Sequence, residues 1–203
     1  VVKKIKYLIR NKYDIKKIKV GHAGTLDPLA KGLLIICTGK ATKQIIRLQD
    51  SYKEYLAEMR LGATTPSFDC ETQIDELFPV DHITKEKIEA ALEQFKGNIE
   101  QIPPVYSALK INGVRAYKLA RRGEQVEMKS RHVYIEGIEL IKYKKDICSF
   151  KVSCTKGTYI RSLIRDIGAE LKSGAYMTDL VRISSGDYNI DDAMTISQFE
   201  KSC

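Results

Sequence analysis

The stretch KVGHAGTLDPLAKGLL, Lys19 to Leu34, sets a histidine, an aspartate, a proline and three glycines in one short loop-like run. A carboxylate so constrained has two uses. Asp27 followed by Pro28 is a favoured pair for opening a helix, the acid capping the N-terminus and the proline sitting in the first turn, which would start a helix through LAKGLLI. The other use is chemical, since a carboxylate can act as a nucleophile or a general base without a metal. Gly21-His22-Ala23-Gly24 has the form of the GXXG loop that clamps nucleic-acid backbone in KH domains, but no KH pattern surrounds it. The same glycines lack the G-x-x-x-x-G-K-[ST] spacing of a nucleotide-phosphate loop. A second chemistry-bearing stretch is Ile102 to Glu127. It opens on paired prolines, contains an Asn112-Gly113 turn signal, and then sets Tyr117 among Arg115, Lys118, Arg121 and Arg122. It reads as a projecting insertion that grips an anion, or else as an ordinary loop with a solvated helix.

The elements that must hold these groups are of both kinds. Val1 to Arg10 reads as a helix with Ile5, Leu8 and Ile9 on one face, and Tyr55, Ala57, Met59 and Leu61 alternate as a strand ending at Gly62. Thr84 to Gly97 is a helix, with Thr84 as cap, an apolar stripe of Ile88, Ala91, Leu92 and Phe95, and Gly97 as terminator. Val133 to Ile141 and Ile147 to Thr155 are strands separated by the turn KYKKD. A further helix carries Leu163, Ile164, Ile167 and Leu171. Strands and helices intersperse without a βαβ rhythm, so the expectation is an α+β fold with a largely antiparallel sheet.

Composition narrows the partner. Residues 1–60 carry 14 lysines and arginines against 5 acids, residues 61–101 carry 3 against 9, and residues 102–132 carry 7 against 2. Two basic blocks around an acidic one suit a phosphate backbone, although a solvated basic surface would look the same. The five cysteines, Cys37, Cys70, Cys148, Cys154 and Cys203, are scattered, without a C-x-x-C pair. That argues for a reducing, cytoplasmic setting and against structural zinc or a disulfide framework. No apolar run approaches the roughly 20 residues of a membrane span. The 203 residues suit one domain.

Three separated segments together resemble the TruB family of tRNA pseudouridine synthases. KVGHAGTLDPLAKGLLIICTGKATK, Lys19 to Lys43, is close to the family signature; YKEYLAEMRLGATT, Tyr52 to Thr65, is similar to its second motif; KGTYIRSLIRDIG, Lys156 to Gly168, resembles its third. QIPPVYSALKINGVRAYKLARRG, Gln101 to Gly123, is similar to the family's RNA-gripping thumb, an insertion of about residues 102–128. The resemblance implies a pseudouridine synthase fold, a mixed and largely antiparallel sheet flanked by helices, in one catalytic domain. It implies conversion of the uridine at position 55 of the tRNA T loop, with no cofactor and no metal, by a monomer acting on the T-arm stem-loop. Asp27 would be the catalytic acid residue, as nucleophile toward ribose C1′ or as base on the sugar; Arg161 would be its cationic partner, and Tyr55 would stack on the target base and be a candidate for taking the C5 proton. His22 and Leu180 would contact the flipped-out nucleotides and pack in the pocket. Lys19, Lys31, Lys110, Arg115, Lys118, Arg121, Arg122 and Arg182 would meet the RNA, mostly at phosphates.

The chain also departs from the family pattern. It begins at VVKKIK, already inside the first helix, so the usual preceding Lys-Pro-x-Gly-x-Thr-Ser segment is expected to be trimmed, and nothing after MTISQFEKSC reads as a PUA domain. TTPSFDCET replaces the usual TDT-x-D, and Val181 stands where an arginine is common. Both changes are expected to alter RNA contacts and not the reaction. Three rivals remain: a relative of dyskerin working inside a guide-RNA particle, a non-catalytic RNA-binding protein that would tolerate loss of Asp27, and a small-molecule enzyme binding a nucleotide phosphate.

Overall fold

The computed structural model describes residues 1–202; Cys203 lies outside the described residues. In chain order the elements are α1 (Val2–Tyr13), β1 (Val20–His22), β2 (Lys31–Gly32), β3 (Ile36–Thr38), a 3₁₀ turn (Gly39–Gln44) running into α2 (Ile45–Gln49), β4 (Lys53–Leu61), β5 (Ala63–Thr64) and β6 (Glu76–Leu77). Then come α3 (Lys85–Gln94), β7 (Gly97–Gln101), β8 (Lys110–Ile111), β9 (Val114–Arg115), α4 (Ala116–Ala120), β10 (Arg131–Lys144), β11 (Ile147–Cys154), α5 (Ile160–Glu170), β12 (Ala175–Ser185), β13 (Tyr188–Asn189) and α6 (Ile196–Ser202). A seven-stranded sheet runs in the order β13-β12-β4-β11-β10-β7, all antiparallel, with β2 adding a short parallel pairing to β12. The expected α+β class with a largely antiparallel sheet is what forms.

Period-two alternation decides which sheet face is buried. In β4, Ala57, Met59 and Leu61 point into the core, while Leu56 and Arg60 are exposed; in β11, Cys148, Phe150, Val152 and Cys154 do the same against half-exposed Ser149, Lys151 and Ser153. Helices α3 and α5 cover the apolar face. α3 starts as expected, with Thr84 Oγ1 accepting from the Lys87 N–H, and buries Ile88, Ala91 and Leu92. α5 buries Leu163, Ile164 and Ile167 and lies so close to β12 that a Cβ on Gly168 would stand 2.4 Å from the Ala175 nitrogen. That approach fixes the helix, and with it the side chains of its first turn, against the sheet.

Two local expectations need correction. Asp27 opens a turn and not a helix: Ala30 N–H donates to the Asp27 carbonyl at 3.0 Å, and Lys31–Gly32 then pairs with Val181 and Arg182. Gly32 has φ +100°, and a Cβ there would lie 2.3 Å from the Arg182 carbonyl oxygen, so the sheet takes the chain before a helix can run. β10 also extends past Ile141 to Lys144, and the turn shrinks to Lys145-Asp146 because Lys142, Tyr143 and Lys144 stay in register with β11. Gly21 and His22 lie on β1, paired with β3, so no GXXG loop forms.

Candidate active site

α5 delivers Arg161 from its first turn, and that end of the helix is pinned before any ligand arrives. The buried Gln101 side chain accepts from the Tyr159 N–H at 2.8 Å and donates to the Tyr159 carbonyl at 3.1 Å, and Ser162 Oγ donates to the Ile102 carbonyl at 2.8 Å. Arg161 is 2% exposed. Its guanidinium forks onto Asp27, Nε to Oδ2 at 3.0 Å and Nη2 to Oδ1 at 2.7 Å. This bidentate geometry fixes the carboxylate plane as well as its charge. Nη2 also donates to the Tyr106 carbonyl at 3.1 Å, and Nη1 donates to the Ser67 carbonyl at 3.2 Å.

A second carboxylate completes the set. Asp69 is 1% exposed and brings Oδ2 to 3.3 Å from Arg161 Nη1. The approach is an ion-pair contact off the hydrogen-bond direction, since Oδ2 has no hydrogen-bond partner among the described residues. The other oxygen, Oδ1, accepts from Ser67 Oγ at 2.6 Å and from the Glu71 N–H at 2.9 Å. Arg161 thus sits between a fully buried acid and a partly open one, for the Asp27 side chain keeps 27% of its surface. A buried guanidinium needs such pairing, and the open side of Asp27 is the side a reactant can reach. The expectation that TTPSFDCET touches RNA contacts alone is therefore corrected: this segment supplies Ser67 and Asp69 to the partner of Asp27.

Asp27, Arg161, Tyr55, Leu180, Arg182 and Arg121 share the wall of one cavity of about 800 Å³. Tyr55 comes from β4 and faces Arg182 across the β4–β12 register. Burial pushes its phenol above the ordinary tyrosine value, with the Arg182 charge opposing this. Leu180 is 3% exposed on β12. Arg182, expected to meet RNA, is 2% exposed and donates to the Leu33 carbonyl at 2.8 Å and the Gly24 carbonyl at 3.2 Å, so it braces the loop that carries Asp27. Lys53, absent from the sequence expectations, is buried in the same wall and donates to the Gln49 carbonyl at 2.5 Å and to the Ser51 carbonyl. Burial lowers its pKa from the ordinary lysine value, and the neighbouring Arg182 charge adds to this.

Of the remaining expected residues, Arg121 reaches the cavity and lies 5.5 Å over the Tyr117 ring. Lys110, Arg115, Lys118 and Arg122 are exposed on the insertion, Lys110 and Arg115 facing each other on β8 and β9, and Arg122 paired with Glu124 at 2.9 Å. Lys19 and Lys31 are exposed, and Lys31 pairs with Asp179 at 3.0 Å. His22 is half-buried on β1 and is not among the residues lining the cavity. The rim has two cationic groups the sequence did not single out. Lys156 bridges to Asp50, and Arg131 stacks 4.9 Å over Tyr159. Tyr159 is the residue preceding α5, so its neighbour was visible in KGTYIR, but Arg131 comes from β10 and only folding brings it there. Among the described residues no cluster of histidine, cysteine and acidic side chains could hold a metal ion, and no helix is long and apolar enough to cross a membrane.

The whole chain has known relatives. Residues 10–160 match the N-terminal domain of the TruB family pseudouridylate synthases, and residues 161–203 match the tRNA pseudouridylate synthase B C-terminal domain. A tRNA pseudouridine synthase B of Phocaeicola vulgatus is 55% identical over 199 residues, 98% of this chain and 85% of the relative; one of Bacteroides thetaiotaomicron is 50% identical over 205 residues, 99% of this chain and 85% of the relative. Among solved structures, a chain in a Cbf5-Nop10-Gar1 complex superposes with a TM-score of 0.67 at 30% identity, covering 91% of this chain and 45% of that one. A chain in an H/ACA ribonucleoprotein bound to substrate RNA containing 2′-deoxyuridine gives 0.68 at 26% identity, covering 98% and 48%. With its signature aspartate forked onto Arg161 in the cavity wall and the two family models together matching residues 10–203, the chain belongs to the TruB family of pseudouridylate synthases.

Proposed function

We propose that this protein isomerises uridine to pseudouridine at position 55 in the tRNA T loop, acting as a cytoplasmic monomer without metal or cofactor. The observation that carries the reading is the bidentate Asp27–Arg161 pair in a cavity walled by Tyr55 and Leu180. The reaction breaks the bond from uracil N1 to ribose C1′, turns the base and joins C5 to C1′; C5 gives up its proton and the freed N1 takes one up, so no atom is gained or lost overall. The target base must leave the RNA stack to be reached, and the cavity is large enough to take it.

In this reading Arg161 holds the Asp27 carboxylate aimed into the cavity, so its free edge attacks C1′ or takes a proton from the sugar. Tyr55 stacks on the extruded uracil; its phenol stays protonated at neutral pH, which keeps a second negative charge away from Asp27. Leu180 packs against the base and excludes water. The exposed cations of the 102–128 insertion, together with Arg131 and Lys156 at the rim, pair with T-arm phosphates. The identities of 50–55% to tRNA pseudouridine synthases B, against 25–30% to chains from Cbf5 complexes, favour an enzyme that needs no guide particle.

The test is tritium release from a T-arm stem-loop labelled with [5-³H]uridine. Release by the wild-type chain is expected, and none by Asp27→Ala or with cytidine at the target position. RNA binding without release would instead favour a non-catalytic RNA-binding protein.

A further inference from the structure

Ser107 stands out among the buried polar groups of the cavity wall. It is 4% exposed, it belongs to the cavity lining, and its Oγ has no hydrogen-bond partner among the described residues. A hydroxyl offers one proton and two lone pairs, and a buried one without a partner is costly enough that native structures rarely keep it without a use. The peptide that carries it is held on both sides. The preceding carbonyl, that of Tyr106, accepts from the same Arg161 Nη2 that binds Asp27 Oδ1, and the Ser107 carbonyl accepts from the Tyr117 N–H at 3.1 Å, at the first turn of α4. The Ala116 N–H donates to the Leu109 carbonyl at 2.7 Å, closing the base of the insertion. The backbone at Ser107 is therefore fixed relative to Asp27, while its hydroxyl is tied to nothing.

We propose that Ser107 is a substrate-contacting residue whose hydroxyl hydrogen-bonds the target nucleotide once that nucleotide occupies the cavity. The proposal rests on the isomerase reading above and adds a residue to it. No bond to protein has to be broken for the hydroxyl to swing between staggered rotamers toward the ligand. The unpaired hydroxyl costs stability in the free enzyme and recovers it on binding, which gives free protein and complex opposite responses to its removal.

The experiment compares Ser107→Ala with wild type by thermal melting and by single-turnover tritium release. It also compares Asp27→Asn with Asp27→Asn/Ser107→Ala by equilibrium binding of the T-arm stem-loop. Melting of Ser107→Ala is expected at or above wild type, with binding weakened about five-fold and release slowed at least as much. In the binding comparison, a 2′-deoxyuridine target that removes the five-fold difference assigns the contact to the ribose; a difference that persists assigns it to the base. A fall in melting temperature alongside the fall in affinity would make the hydroxyl structural and overturn the proposal, as would affinity and rate within two-fold of the parent. Wild-type chain that binds the stem-loop but releases no tritium would refute the isomerase reading, and the binding comparison would still decide the part played by Ser107.

Discussion

Removing the arginine of the Asp27–Arg161–Asp69 set has a size that follows from the burial of each member. Arg161→Ala strips from Asp69, which is 1% exposed, the only cation paired with it among the described residues, while Asp27 with 27% of its side chain exposed can turn to water. Leaving one member of a buried ion pair uncompensated costs about 3–5 kcal/mol. For a chain of this length that is roughly 6–20 °C in melting temperature. Asp27→Asn should do far less, below about 1 kcal/mol, because Arg161 keeps Asp69 and two backbone carbonyls. Asp69→Asn should fall between them, at about 1–3 kcal/mol, since the amide can still accept from Ser67 and Glu71 but no longer neutralises Arg161. Thermal melts of the three variants at low salt and in 0.5 M salt give the ranking, and a buried pair should keep it at both. If Arg161→Ala melts within about 3 °C of wild type, or Asp27→Asn is the least stable of the three, the triad is not the buried electrostatic unit described above.

Further outcomes are expected elsewhere in the molecule. Because burial raises the Tyr55 phenol, the unfolded chain gives up that proton first, so its contribution to stability is full below about pH 10 and is lost as pH rises through the higher folded value; melting between pH 9 and 11 should fall more steeply in wild type than in Tyr55→Phe. Lys53→Met leaves the Gln49 and Ser51 carbonyls without their donor and should cost about 1–3 kcal/mol, read from urea unfolding, with Lys53→Arg milder. Gly32→Ala meets both a positive φ and the Arg182 carbonyl, so a loss of about 2 kcal/mol or more is expected by the same measurement, with tritium release reduced because the Asp27 loop shifts. Burial pushes the Cys148 and Cys154 thiols up to about 12 and about 11, so among the described cysteines a small thiol reagent should label exposed Cys70 first, as peptide mapping of the native protein would reveal.

Much of the scaffold was legible because its signals are local. The alternation of Ala57, Met59 and Leu61, the Thr84 cap and the stripe of Ile88, Ala91 and Leu92 each declare an element within ten residues. Asp27, Tyr55, Arg161 and Leu180 were legible through the family resemblance, and the cavity brings them together. Asp69 was not, because TTPSFDCET looks like a polar surface turn and an acid announces its burial only through a distant partner. Asp27-Pro28 misled for a related reason: its local chemistry favours a helix start, but pairing of Lys31–Gly32 with β12 overrides that preference. Ser107 and Arg182 are illegible in the same sense, a missing bond and a brace to two carbonyls being properties of the folded arrangement alone.

The position of β12 also bears on how the protein is made. This strand is synthesised well after β4, yet it lies directly beside β4 in the sheet, and α5 just before it brings the arginine that Asp27 requires. A nascent chain paused before residue 156 would hold the signature loop and most of the sheet's strands but no guanidinium for its aspartate. Competence should then arrive in one late step, and contacts so far apart in sequence make that step slow relative to local helix formation. Separately expressed fragments divided in the 155–158 loop should each be inert, with activity appearing only when they are folded together.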